Sequence, residues 1–134
     1  MKRPYCEVFV KYVLPALRAL IAELLMERYS LTQAEAAKLL GVTQPAVSNY
    51  LRKVRGTKLY SLFKKSPKVT EFAETVAKIL ISGRDFEDWC KGCELVRCDE
   101  KIMKELSNML SLELDRLIIP PCAPDSRIHI SVND

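Results

Sequence analysis

Apolar residues recur at helical spacing over residues 7–29, at Val10, Val13, Leu14, Leu17, Leu20, Ile21 and Leu24. Pro15 interrupts that run. It either kinks one long helix or opens a second at its first turn, where a missing N–H costs little. Thr32 and Glu35 have the T-x-x-E spacing of a capping box, which predicts a helix starting at Gln33. Ala36 and Ala37 are small enough for close packing, and Gly41 suits a sharp turn. Thr43 then caps the next helix, with Pro45 near its first turn. In that helix Val47 and Leu51 face the core, while Gln44, Ser48, Asn49 and Arg52 point outward. Residues 53–68 read as a loop or a short basic helix closed by Ser66-Pro67. Thr70 caps a helix over 71–82, with Phe72, Val76, Ile79 and Leu80 on one face and Gly83 as its stop. Asp99 caps a last helix running to about Leu117, with Ile102, Met103, Leu106, Met109, Leu110, Leu114 and Leu117 as its apolar residues. Pro120-Pro121 ends it. Residues 127–132 alternate like a short strand or a loose tail.

The expected fold is therefore all-α, a helical bundle with a helix-turn-helix, followed by a metal-binding segment and a dimerisation helix. The division is 1–83 for a DNA-binding domain and 84–134 for the cysteine cluster and dimerisation region. At 134 residues, 49% hydrophobic, the chain can bury a core without disulfide staples.

Two helices crossing at a fixed angle project the second into the DNA major groove. Gln44 stands at the start of that second helix, and Ser48 and Asn49 share its outer surface. Gln and Asn carry an acceptor and donors that match the N6 and N7 edge of adenine. Gln33 opens the first helix, where N–H groups and side chain can hold a phosphate. Thr43 and Pro45 belong to the same approach, and Arg52, Lys53 and Arg55 are placed for backbone contact.

The charge distribution agrees. The net charge is only +4, but no acid lies between Glu35 and Glu71, while Lys38, Arg52, Lys53, Arg55, Lys58, Lys64, Lys65 and Lys68 do. A basic segment beginning at a recognition helix suits phosphate.

The residues Gln33, Ala36, Ala37, Gly41, Val42, Gln44, Val47, Ser48 and Leu51 resemble the Xre/lambda-repressor-like helix-turn-helix family. The resemblance implies that Gln33 contacts a phosphate and supports Gln44. Residues 5–56 are also similar to a group of short archaeal regulators. The shared features are Cys6-Glu7 and the run V-K-Y-V-L-P-A-L-R-A-L-I-A-E-L-L that follows. Members of that group carry a carboxy-terminal cysteine motif, which implies sensing of oxygen, redox state or iron.

Cys90, Cys93 and Cys98 follow a C-x-x-C-x-x-x-x-C pattern. Three thiolates so spaced can wrap one metal. The fourth ligand comes from Cys122, from Cys6 as the alternative, or from His129. The uneven spacing favours an iron–sulfur cluster, with zinc as the alternative; metal-free thiols, including a disulfide switch, are a third reading. A disulfide framework is not expected in a reducing compartment.

No signal peptide is expected, because Lys11, Arg18 and Glu23 break the apolar run after Val8; the same charges exclude a membrane span. A cytoplasmic location follows as the expectation. With one histidine, no nucleophile paired to a base and no phosphate loop, the chain is not read as an enzyme. The expected function is a sequence-specific transcriptional regulator that binds double-stranded DNA as a homodimer and responds to redox or metal state. The alternative is a protein-interaction adaptor with structural zinc.

Overall fold

The computed structural model describes residues 2–111 and 113–122. In chain order the elements are β1 (Arg3–Pro4), α1 (Tyr5–Val8), a π-helical segment (Phe9–Val13), α2 (Leu14–Arg28), α3 (Gln33–Leu40), α4 (Gln44–Val54), α5 (Lys58–Lys65), α6 (Pro67–Ile81), α7 (Trp89–Arg97), α8 (Glu100–Leu110), a 3-10 turn (Leu114–Arg116) and β2 (Leu117–Ile118). The residues from 127 to 132, and His129 among them, lie outside the described residues.

Helix α2 is the hub. It packs against α3, α4, α5 and α6. Ala16, Leu17, Ala19, Leu20, Ile21, Ala22 and Leu25 are all buried, so nearly every face is covered. The start of α2 resolves the two roles open to Pro15. It lies in the first turn, and the preceding turn is widened, with Leu14 N–H donating to the Phe9 carbonyl five residues back. Proline brings no N–H and crowds the carbonyl four residues earlier, and the wide turn accommodates both. The wide turn also shifts the phase, leaving Val10 60% exposed rather than on the core stripe.

Residues 58–65 take the second of the two expected forms, a short basic helix; it is amphipathic, capped by Thr57 at the Tyr60 N–H and burying Leu59, Tyr60 and Phe63. Two boundaries differ from expectation. Helix α6 begins four residues before the expected start at 71. Ser66 Oγ accepts from Val69 N–H and Pro67 sits in the first turn, while the Thr70 hydroxyl donates back to the Ser66 and Pro67 carbonyls. Helix α8 ends at Leu110, well short of Leu117. Ser111 adopts a left-handed conformation (φ 49°), and the chain turns so that Leu117 is buried and β2 pairs in parallel with β1, Arg3 beside Leu117 and Pro4 beside Ile118.

The later helices share the same core. Helix α7 packs on α6 and on the π segment, and α8 packs on α5 and α7. Gly92 makes the α7 approach so close that a Cβ there would lie 3.0 Å from Phe72 Cζ and 3.2 Å from Leu17 Cδ1. Phe72, Phe86 and Trp89 stack edge to face around this contact, with centroids 5.0 Å apart for Phe86 and Trp89.

Candidate nucleic-acid interface

The recognition surface is built on helices α3 and α4, each fixed at its start by a cap. Thr32 Oγ1 accepts from Glu35 N–H at 3.1 Å and Glu35 Oε1 accepts from Thr32 N–H at 3.1 Å, which completes the capping box. That pair holds the Glu35 carboxyl below its ordinary range, the backbone hydrogen bond from Thr32 acting most. Gly41 takes φ 71°, the left-handed conformation that lets α3 stop and α4 start without a strained side chain. Thr43 Oγ1 accepts from Ala46 N–H at 3.2 Å, and Pro45 occupies the first turn of α4.

The inner face of α4 is closed. Val47 and Leu51 are fully buried, as are Ala36 and Ala37 on α3, and α4 packs on both α2 and α3. The outer face carries the expected polar set. Gln44 and Arg52 are exposed, Ser48 and Asn49 half-buried, and Lys53 and Arg55 exposed at the far end.

Two side-chain pairs order that face. Gln44 Nε2 donates to Gln33 Oε1 at 3.5 Å, joining the starts of α3 and α4. Arg52 Nη2 donates to Asn49 Oδ1 at 2.7 Å. The first pairing was legible in the resemblance. The second follows from i,i+3 spacing on a helix, but nothing in composition singles it out.

The basic segment divides in two. Lys64 sits 3.3 Å from Glu23, whose carboxylate also accepts from the Tyr60 hydroxyl, and Lys58 sits 3.6 Å from Glu105. Burial first, and the Glu23 carboxylate next, push the Tyr60 hydroxyl well above its usual range. These two lysines therefore have carboxylates inside the chain, from α2 and α8. Arg52, Lys53 and Arg55 remain on α4 and its end. No sequence signal marks Glu23 and Lys64 as neighbours, because 41 residues separate them.

Residues 21–64 match the helix-turn-helix family model. The matched stretch runs from the middle of α2 to the end of α5 and contains both motif helices. Helix-turn-helix modules commonly place their second helix in the major groove of DNA. No curated protein and no solved structure matches the chain. Among the described residues, no helix is long and apolar enough to cross a membrane.

The cysteines do not form the expected four-ligand set. Cys98, at the end of α7, and Cys122 are joined in a disulfide, so neither sulfur is a thiolate. This bond belongs to the third reading of the cysteines, metal-free thiols with a disulfide: the bend after α8 and the return through β2 bring residue 122 back to the end of α7. Cys6, Cys90 and Cys93 carry free thiols. Cys93 Sγ accepts from Arg97 Nη1 at 3.7 Å, but burial outweighs that contact and raises its pKa above the ordinary value. Among the described residues, no group of three or more His, Cys, Asp or Glu side chains is gathered to hold a metal.

Proposed function

We propose that this chain is a sequence-specific DNA-binding transcriptional regulator. The observation that carries the proposal is the exposed first turn of α4. Gln44 is held there by Gln33, on a helix whose opposite face is locked into the core. With its acceptor Oε1 and one Nε2 hydrogen uncommitted, Gln44 can still make the two hydrogen bonds that adenine requires. Gln33 at the start of α3 is placed for a phosphate, and Arg52, Lys53 and Arg55 extend the backbone contact.

One short recognition helix reads too few bases for useful specificity, so the proposal includes a homodimer on a two-fold operator. Sedimentation of the free protein and of its complex with a palindromic duplex tests that part.

The test of sequence reading is binding to a duplex selected from random sequence, compared with a scrambled one, across a salt series. Wild type should prefer the selected duplex. Gln44→Ala should lose about 1–3 kcal/mol at an adenine-containing position and little elsewhere. Equal wild-type affinity for both duplexes would overturn the proposal.

A response to redox state also belongs to it, through Cys98 and Cys122. A dithiol reductant supplies two electrons and two protons, converting the bridge to two thiols while the reductant becomes the disulfide. Anaerobic purification with metal analysis and an absorption spectrum distinguishes the cofactor readings. Stoichiometric iron with visible bands identifies a cluster, zinc without bands a structural ion, and neither metal leaves the thiol–disulfide couple.

A further inference from the structure

We infer that Cys90 and Cys93 form a second thiol–disulfide couple, separate from Cys98 and Cys122, which exchanges with small disulfides in solution. The inference stands apart from the DNA-binding proposal and holds whether or not α4 reads bases.

Cys90 and Cys93 are free thiols three residues apart on α7. Helix geometry puts their Cα atoms about 5 Å apart, inside the range of about 4.4–6.8 Å that a disulfide spans. Bonding must also draw the two Cβ atoms together, from about 5–6 Å to about 4 Å. The start of α7 allows that. Lys91 N–H donates to the Asp88 carbonyl three residues back, at 3.2 Å. That bond winds the first turn in the 3-10 manner, in which side chains three apart eclipse. The Asp88 side chain makes no capping bond, so no cap resists further tightening.

The two thiols differ in their surroundings. Cys90 is exposed and Cys93 half-buried. Cys93 Sγ lies 3.7 Å from Arg97 Nη1, and Arg97 Nε is buried with no hydrogen-bond partner among the described residues. A guanidinium beside sulfur steadies the negative charge that the sulfur carries once it gives up its proton.

Exposure sets the order of events. The Cys90 thiolate attacks one sulfur of a small disulfide RSSR and expels RS⁻, which takes up the proton that Cys90 released. Cys93 then gives up its proton, and its sulfur attacks Cys90 Sγ in the mixed disulfide. The second RS⁻ leaves and takes that proton. Two thiols lose two electrons and two protons, and RSSR becomes two RSH.

The experiment incubates the full chain with oxidised glutathione, quenches it with an alkylating agent and digests it with trypsin without reduction. Cleavage after Arg84, Lys91 and Arg97 puts Cys90 in peptide 85–91 and Cys93 in peptide 92–97. Wild type should lose both alkylated peptides and gain the two joined by a disulfide. Cys93→Ser should instead hold glutathione on Cys90, and Cys90→Ser should leave Cys93 mostly alkylated. The inference fails if either peptide is joined to the one carrying Cys6, the other free thiol, or to one carrying Cys98 or Cys122. It fails too if wild type stops at a glutathione adduct on Cys90, or if both cysteines stay alkylated while the unfolded chain is oxidised. Stoichiometric metal that must be stripped with a chelator before either cysteine reacts overturns it as well.

Discussion

At the scale of single residues, the start of α3 gives a pH-dependent handle on the proposed DNA-binding surface. Glu35 closes the capping box and its folded carboxyl titrates below the unfolded value of about 4.3. A depressed folded pKa contributes stability that is present above the unfolded value and is lost as pH falls through the folded one. Glu35→Gln keeps a neutral acceptor and removes the titration. Wild type should therefore lose more of its melting temperature than Glu35→Gln between about pH 6 and about pH 3. Thermal melts of both proteins at matched ionic strength check it; identical pH profiles would show that the carboxylate adds nothing beyond a neutral acceptor. Thr32→Ala removes the reciprocal bond, and should cost about 1 kcal/mol near neutral pH. Because Gln33 is the next residue, loss of this cap should also loosen the Gln33–Gln44 contact and weaken specific binding.

At the scale of elements, what the sequence could reveal depended on how local the cause was. The helix-turn-helix was legible because each signal sits within four residues of its effect: Thr32 with Glu35, Gly41 at the turn, Thr43 with Ala46. The same holds for the polar face of α4, since Val47 and Leu51 set its phase. Helix α5 was only half legible, because its cap and its three buried residues are packed into sixteen residues rich in lysine. The end of α8 and the bond between Cys98 and Cys122 were not legible. Both depend on where a distant segment returns, and no local pattern encodes that. The cysteine spacing was real, but spacing cannot decide whether two sulfurs bind one ion or each other. Gly92 shows the reverse case, a glycine that local reading treats as a mere spacer within C-x-x-C. It is the contact through which α7 meets Phe72 and Leu17. Gly92→Ala should overpack that contact and destabilise the protein by about 1–3 kcal/mol, despite alanine's better helix propensity. Chemical denaturation tests it; a variant as stable as wild type would mean that α7 shifts freely, and that the Phe72, Phe86 and Trp89 cluster does not fix it.

At the scale of the whole molecule, the question is whether the disulfide is a staple or a control. The bridge spans 24 residues, closing a loop that contains α8 and β2. Chain entropy alone makes such a closure worth about 3 kcal/mol. Reduction should lower stability by that order, and β2 should be the first element to lose its partner, since two residues on each strand hold little without the closure. Helix α8 also carries Glu105, which faces Lys58 at the start of α5. Helix α5 packs on α2, the support of both motif helices, so loosening α8 has a physical route towards α4. That route defines the measurement. Operator affinity and unfolding free energy should be measured for oxidised protein, for protein reduced with a dithiol, and for Cys98→Ser, which cannot form the bridge. Control predicts that affinity changes on reduction, returns on reoxidation in wild type, and stays at the reduced level in Cys98→Ser. A staple predicts the loss of about 3 kcal/mol in both reduced forms with operator affinity unmoved, as long as the protein remains folded at the assay temperature. The second result would leave the helix-turn-helix as a DNA reader and take redox sensing away from it.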